Sequence, residues 1–126
     1  MSVEHWKSEP EDHDFPAAVN YLSLLCSEEE AEKIVNALRG ATNQIYAAKD
    51  LLRASGLSLL PKDNAHVKSD LEKISKGHHL SPVLLVRAAL LGDHPLIIAD
   101  GYHRVCTSYW IEENAAIPCR IVTWAE

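Results

Sequence analysis

A small mixed sheet with helices packed on it, an α/β (α+β) fold, is the class this sequence predicts, and three observations lead there. Short runs rich in Val, Leu and Ile at 82–87, 95–99 and 117–122 have the length and bounding residues of strands. The segments before and between them carry apolar residues at helical spacings of three and four. With 126 residues, 47% of them hydrophobic and 24% charged, the chain suits one globular domain and is too short for two.

The elements follow in order. Residues 1–15 are polar and acidic, contain Pro10, and have Trp6 and Phe15 as their only large anchors, so they read as a flexible acidic tail. From Pro16 a single domain runs over 16–126, and its first part, 16–40, is an extension of two helices. The first helix uses Ala17, Ala18, Tyr21, Leu22, Leu24 and Leu25 and ends near Cys26. Ser27-Glu28-Glu29-Glu30 has the form of a capping box that opens the second, in which the Ser27 hydroxyl accepts from the third backbone N–H and Glu30 reaches back. Ala31, Ile34, Val35 and Leu38 form its apolar face, and Gly40 stands where a left-handed terminating residue belongs.

Asn43–Ala47 reads as a short strand, and Ala48–Ser55 as a helical turn stopped at Gly56, before an extended linker over Leu57–Pro61. Asn64 caps a helix through about Lys76 that buries Val67, Leu71 and Ile74 and ends at Gly77. Strands at Pro82–Arg87 and Pro95–Ala99 precede a helix over 102–114 that buries Val105, Cys106, Tyr109 and Trp110. The last strand is Ile117–Val122. Pro118 lacks a backbone donor, which places it at a sheet edge or a strand start.

Composition removes several function classes. Lys and Arg number 12 against 18 Asp and Glu, a net charge of −6, with no long basic run, so a duplex DNA reader is disfavoured. Arg87, Asp93 and His94 interrupt the most apolar stretch, and the N-terminus lacks a basic region followed by an apolar one, which points to a cytoplasmic protein without a membrane span. Cys26, Cys106 and Cys119 are odd in number and have no metal-ligand spacing, so they read as small buried thiols. His78, His79, His94, Asp100 and His103 likewise lack the spacing of a metal site. The phosphate-binding P-loop and the G-x-S-x-G elbow of serine hydrolases are absent from the sequence.

The stretch that carries chemistry is Leu96-Ile97-Ile98-Ala99-Asp100-Gly101-Tyr102-His103-Arg104, a strand that passes through a glycine turn into a helix. The first N–H groups of a helix have no partner within it, and the dipole there is locally positive, so a phosphate or carboxylate is favoured. Gly101 allows close backbone approach, and His103 and Arg104 add donors. The alternative is a purely structural junction, with Asp100 as a cap and Arg104 at the surface beside a carboxylate.

Taken with the order of elements from Asn43 to Val122, this box resembles the ParB/sulfiredoxin-like superfamily. Sulfiredoxins carry Gly-Cys-His-Arg, whose His and Arg hold nucleotide phosphates, and Gly101, His103 and Arg104 match these. Free-serine kinases carry Asp-Gly-His-His-Arg, and ParB partition proteins, which bind CTP, carry Gly-Glu-Arg-Arg. The resemblance extends to a helix whose polar face approaches the nucleotide, here His66, Ser69 and Lys73. Tyr102 replaces the sulfiredoxin cysteine, and a phenol cannot supply that thiolate, so sulfinic-acid repair is not expected.

The resemblance implies a nucleotide or other phosphorylated ligand, ATP, ADP or CTP with Mg²⁺, bound by Gly101, Tyr102, His103, Arg104, His66, Ser69 and Lys73. In an enzyme, a phosphotransferase or nucleotidase, Asp100 and His103 would be catalytic. Asp100 would also meet the metal, ahead of Asp50 and Asp93. Against this stands a non-catalytic accessory module whose N-terminal helices contact a protein partner or a second copy. A ParB-like nuclease would need a carboxylate cluster and a basic groove, and the sequence displays neither.

Overall fold

The structure is a computed structural model that describes residues 5–88 and 96–124. In chain order the elements are α1 (Asp14–Leu22), α2 (Glu28–Gly40), β1 (Gln44–Ala47), α3 (Ala48–Ser55), α4 (Ala65–Ser75), β2 (Val83–Arg87), β3 (Leu96–Asp100), α5 (Tyr102–Ile111) and β4 (Ala116–Thr123). The four strands form one mixed sheet in the order β1-β4-β2-β3, giving a mixed α/β fold. β2 pairs antiparallel with β3 and parallel with β4, while β1 runs antiparallel to β4.

The sheet is covered on both faces, which explains why β2 reads as a continuous apolar run and not an alternating one. Val83 and Leu85 face a core built with Leu51, Leu52, Val67, Val105 and Cys106 from α3, α4 and α5. Leu84 and Val86 face the other way, onto Phe15, Ala18 and Leu22 of α1 and Ala31, Ile34, Val35 and Leu38 of α2. These four β2 side chains are fully buried, and only Arg87 at the strand's end is exposed. Truncating such a leucine costs about 2–5 kcal/mol, so the sheet centre is where the fold is least tolerant of change.

Local signals place the helices much as expected. The Ser27 hydroxyl accepts from Glu30 N, Asn64 accepts from the N–H groups of His66 and Val67, and Gly56 and Gly77 adopt left-handed conformations after α3 and α4. Pro118 is the third residue of β4, an interior strand, opposite Ile45 of β1 and one residue before the ladder with β2 opens at Cys119, so it lies near the strand's start and not at a sheet edge. Gly40 differs from expectation: it is the last residue of α2, and Ala41 follows in extended conformation. α1 ends at Leu22 and not near Cys26, because the chain turns over Ser23–Cys26 through bonds to the carbonyls of Val19, Tyr21 and Leu22. Leu24 and Leu25, expected on its apolar face, are therefore exposed.

The N-terminal segment differs most. Over its described part, residues 5–15 do not form a loose tail. Trp6 is buried in the same core as α3 and α5 and bridges Leu80, with Lys7 N donating to Leu80 O and Leu80 N to His5 O. Asp14 and Phe15 are buried within α1 itself. One indole supplies enough apolar surface to hold a polar segment against the core. The expected start of the third strand at Pro95, together with Asp93 and His94, falls outside the described residues. No helix among the described residues is long and apolar enough to cross a membrane.

Candidate functional site

Strand β3 ends at Asp100, and Gly101 turns the chain into α5 with φ 115°. Only glycine fits there. A Cβ on Gly101 would lie 2.9 Å from Arg104 Nη2 and 2.9 Å from a Val83 methyl, besides forcing a side chain into a backbone region it rarely adopts. With glycine as its first residue outside, α5 has no side-chain cap, so its leading N–H groups face outward.

They open on a polar cleft of about 580 Å³ that also receives His66, Asp70 and Lys73 from α4, and His103 and Arg104 from α5. The turn after α4 supplies Gly77, His78 and His79, and the N-terminal strap supplies Lys7, Glu11 and His13. α4 aligns its contribution by periodicity, since residues 66, 70 and 73 share one face while Val67 points into the core. The volume lies within the range of small-molecule sites.

Of the residues expected from the sequence, His66, Lys73, Asp100, Gly101, His103 and Arg104 meet at this cleft. Ser69 and Tyr102 do not line it. Ser69 is exposed on the flank of α4 away from Val67. The Tyr102 hydroxyl donates to the Ser58 carbonyl and ties α5 to the linker, so its side chain is engaged away from the cleft. Asp70 joins them unannounced by any motif, although its spacing of four from His66 and three to Lys73 puts it on the same face. Asp14 and the strap are marked by no local periodicity.

Arg104 is engaged by its neighbours as well as lining the cleft. Its Nη2 donates to Asp100 Oδ2 at 3.1 Å and to the Pro82 carbonyl at 3.3 Å, and its Nη1 stands 3.9 Å from Asp14 Oδ1. Arg104 Nε is buried without a partner. The guanidinium clamps β3, α1 and the entry to β2 together, while one edge of the side chain still borders the cleft. Burial pushes the Asp100 carboxyl above its ordinary range more than Arg104 pulls it down, and Asp14 adds to the rise. Arg104 thus occupies one oxygen of the carboxylate expected to meet a metal. Among the described residues no group of three or more His, Cys, Asp or Glu side chains is arranged to hold a metal ion.

Other basic side chains of the cleft wall, His66, Lys73 and His103, lie on the faces of α4 and α5. The rings of His66 and His103 stand 4.5 Å apart, and Lys73 Nζ is 3.8 Å from Asp70. Burial, with His66 next, holds His103 below its ordinary imidazole range, against the pull of Asp70. Asp70 is raised by burial, which outweighs Lys73, Arg104 and the two histidines. The thiols take no part: burial raises Cys106 and pushes Cys119 up to about 12, and the half-buried Cys26 is also raised.

No family model, curated protein or solved structure matches this chain.

Proposed function

We propose that the cleft binds a phosphorylated small molecule, a nucleotide being the leading class, with its phosphates against the uncapped start of α5. The observation that carries this reading is the convergence of that start with His66, Lys73 and His103 on one polar cleft. The backbone N–H groups of Tyr102, His103 and Arg104 would grip the anion, and Lys73 and the two imidazoles would flank it. Arg104 shapes the turn and neutralises Asp100, which otherwise would repel the ligand. Mg²⁺ would arrive with the phosphates and supply charge neutralisation. The likeness of Asp100–Arg104 to the ParB/sulfiredoxin-like box adds support for the nucleotide class. No position is available for a sulfiredoxin thiolate, since Tyr102 stands there and reaches away to Ser58.

Thermal shift against ATP, ADP, CTP, GTP and inorganic phosphate, with Mg²⁺ and at low salt, tests the reading. A ligand at 100 times its dissociation constant adds about 2.7 kcal/mol of stability. At least one should raise the melting temperature, and unphosphorylated nucleosides should not. No shift with any phosphorylated compound at millimolar concentration would refute it. Phosphate release, followed in the same samples, separates an enzyme from a binding module.

A further inference from the structure

Among the described residues, five of six histidines, His13, His66, His78, His79 and His103, line one cleft. An anion site built for constant affinity would be furnished with Lys and Arg, whose charge does not change near neutral pH. Here the permanent cations are largely committed. Arg104 is paired with Asp100, Lys73 stands beside Asp70, and Lys7 is bonded to Glu11. Beside Lys73, which keeps much of its side chain exposed, the side-chain charge left to meet an anion is that of the imidazoles.

We propose that anion binding in this cleft is coupled to proton uptake by the His66–His103 pair, so that the cleft loads in mild acid and empties as the pH rises. The inference rests on the reading of the cleft as an anion site. Two imidazoles with centroids 4.5 Å apart cannot both be cationic at low cost unless a negative charge joins them. Burial and the charges of His66 and Arg104 oppose protonation of His103 in the empty cleft, and Asp70 favours it. An entering dianion reverses that balance, and solvent supplies the proton to an imidazole nitrogen.

The other groups facing the pair do not replace it. From α4 come Asp70 and Lys73, already in contact with each other. From β3 and α5 come Asp100 and Arg104, also paired, and Tyr102, which is bonded to Ser58. On the strap, His13 Nε2 lies 3.2 Å from Glu11 and 3.4 Å from the buried Asp14, so these carboxylates are its nearest partners. His78 and His79 follow Gly77 on the wall beyond the end of α4.

The test is titration of the intact protein with sulfate, which remains a dianion throughout the range and so removes the ligand's own titration. Dissociation constants are measured by calorimetry at about pH 5.5 and about pH 7.5, and one linked proton predicts roughly tenfold weaker binding at the higher pH. His66→Gln and His103→Gln should each flatten that ratio to about twofold or less, and His5→Gln, outside the cleft, should leave it intact. Because His66 is exposed, its variant remains informative should the His103 change disturb the fold. Sulfate binding with equal affinity at both pH values, or a ratio retained in both cleft variants, overturns the coupling and leaves the anion site standing. Absence of binding by sulfate and by inorganic phosphate at both pH values overturns the site itself.

Discussion

Replacing Arg104 with alanine separates a clamp from a ligand donor. In the structure this side chain keeps 16% of its area exposed, and its partners Asp100 and Asp14 keep 19% and 2%. Removing one member of a buried pair costs about 3–5 kcal/mol, because the remaining charge stays behind without compensation. Arg104 and Asp100 retain some contact with solvent, so the lower end of that range, about 3 kcal/mol, is the expected loss. For a chain of this size that corresponds to a fall of roughly 10 °C in melting temperature. Asp100 titrates above its ordinary range, so the penalty should shrink as acid neutralises it. Adding Asp100→Asn to the Arg104→Ala variant should recover part of the loss at neutral pH. Calorimetric melts of the three proteins at neutral and acidic pH measure all of this. A drop under about 2 °C for Arg104→Ala would match ordinary surface substitutions and refute the clamp.

Two further substitutions probe the turn and the cleft. Gly101→Ala must place a Cβ against Arg104 and Val83 at φ 115°, so it should destabilise by more than the roughly 1–3 kcal/mol of backbone strain alone, whereas Gly77→Ala, left-handed but with open space around it, should cost only about 1–2 kcal/mol; equal losses in denaturant melts would contradict the close approach. Asp70→Asn addresses a carboxyl whose folded pKa lies above its unfolded value, so its contribution to stability is present below the unfolded pKa and is lost as pH rises through the folded one. The variant should therefore be more stable than the parent at neutral pH and equal to it in strong acid, and a less stable variant at neutral pH would show that the Lys73 contact outweighs burial.

Short-range signals in the chain carried most of the architecture. The Ser27 and Asn64 caps, the left-handed Gly56 and Gly77, and the apolar faces of α2 and α4 are each decided within a few residues, and the structure places them accordingly. What escaped is long-range. Trp6 reaches a core assembled from residues that begin some forty positions later, and nothing in an acidic, proline-containing segment announces that docking. The end of α1 escaped because Leu24 and Leu25 keep helical spacing after the helix has already turned, a case of pattern outrunning backbone hydrogen bonding. At the site, the sequence located the turn and both helix faces. It did not reveal that Arg104 is held by two carboxylates, one of them Asp14 from the other side of the sheet, since that triad exists only once α1 packs on β3.

The central claim, that an anion is gripped by the start of α5, is tested most directly by following backbone amide resonances during titration with ATP, ADP and inorganic phosphate in the presence of Mg²⁺. The account predicts saturable shifts centred on the N–H groups of Gly101, Tyr102, His103 and Arg104, with the α4 positions His66, Asp70 and Lys73 moving at the same midpoint. Saturable shifts confined to another surface, or none at millimolar ligand, would contradict it.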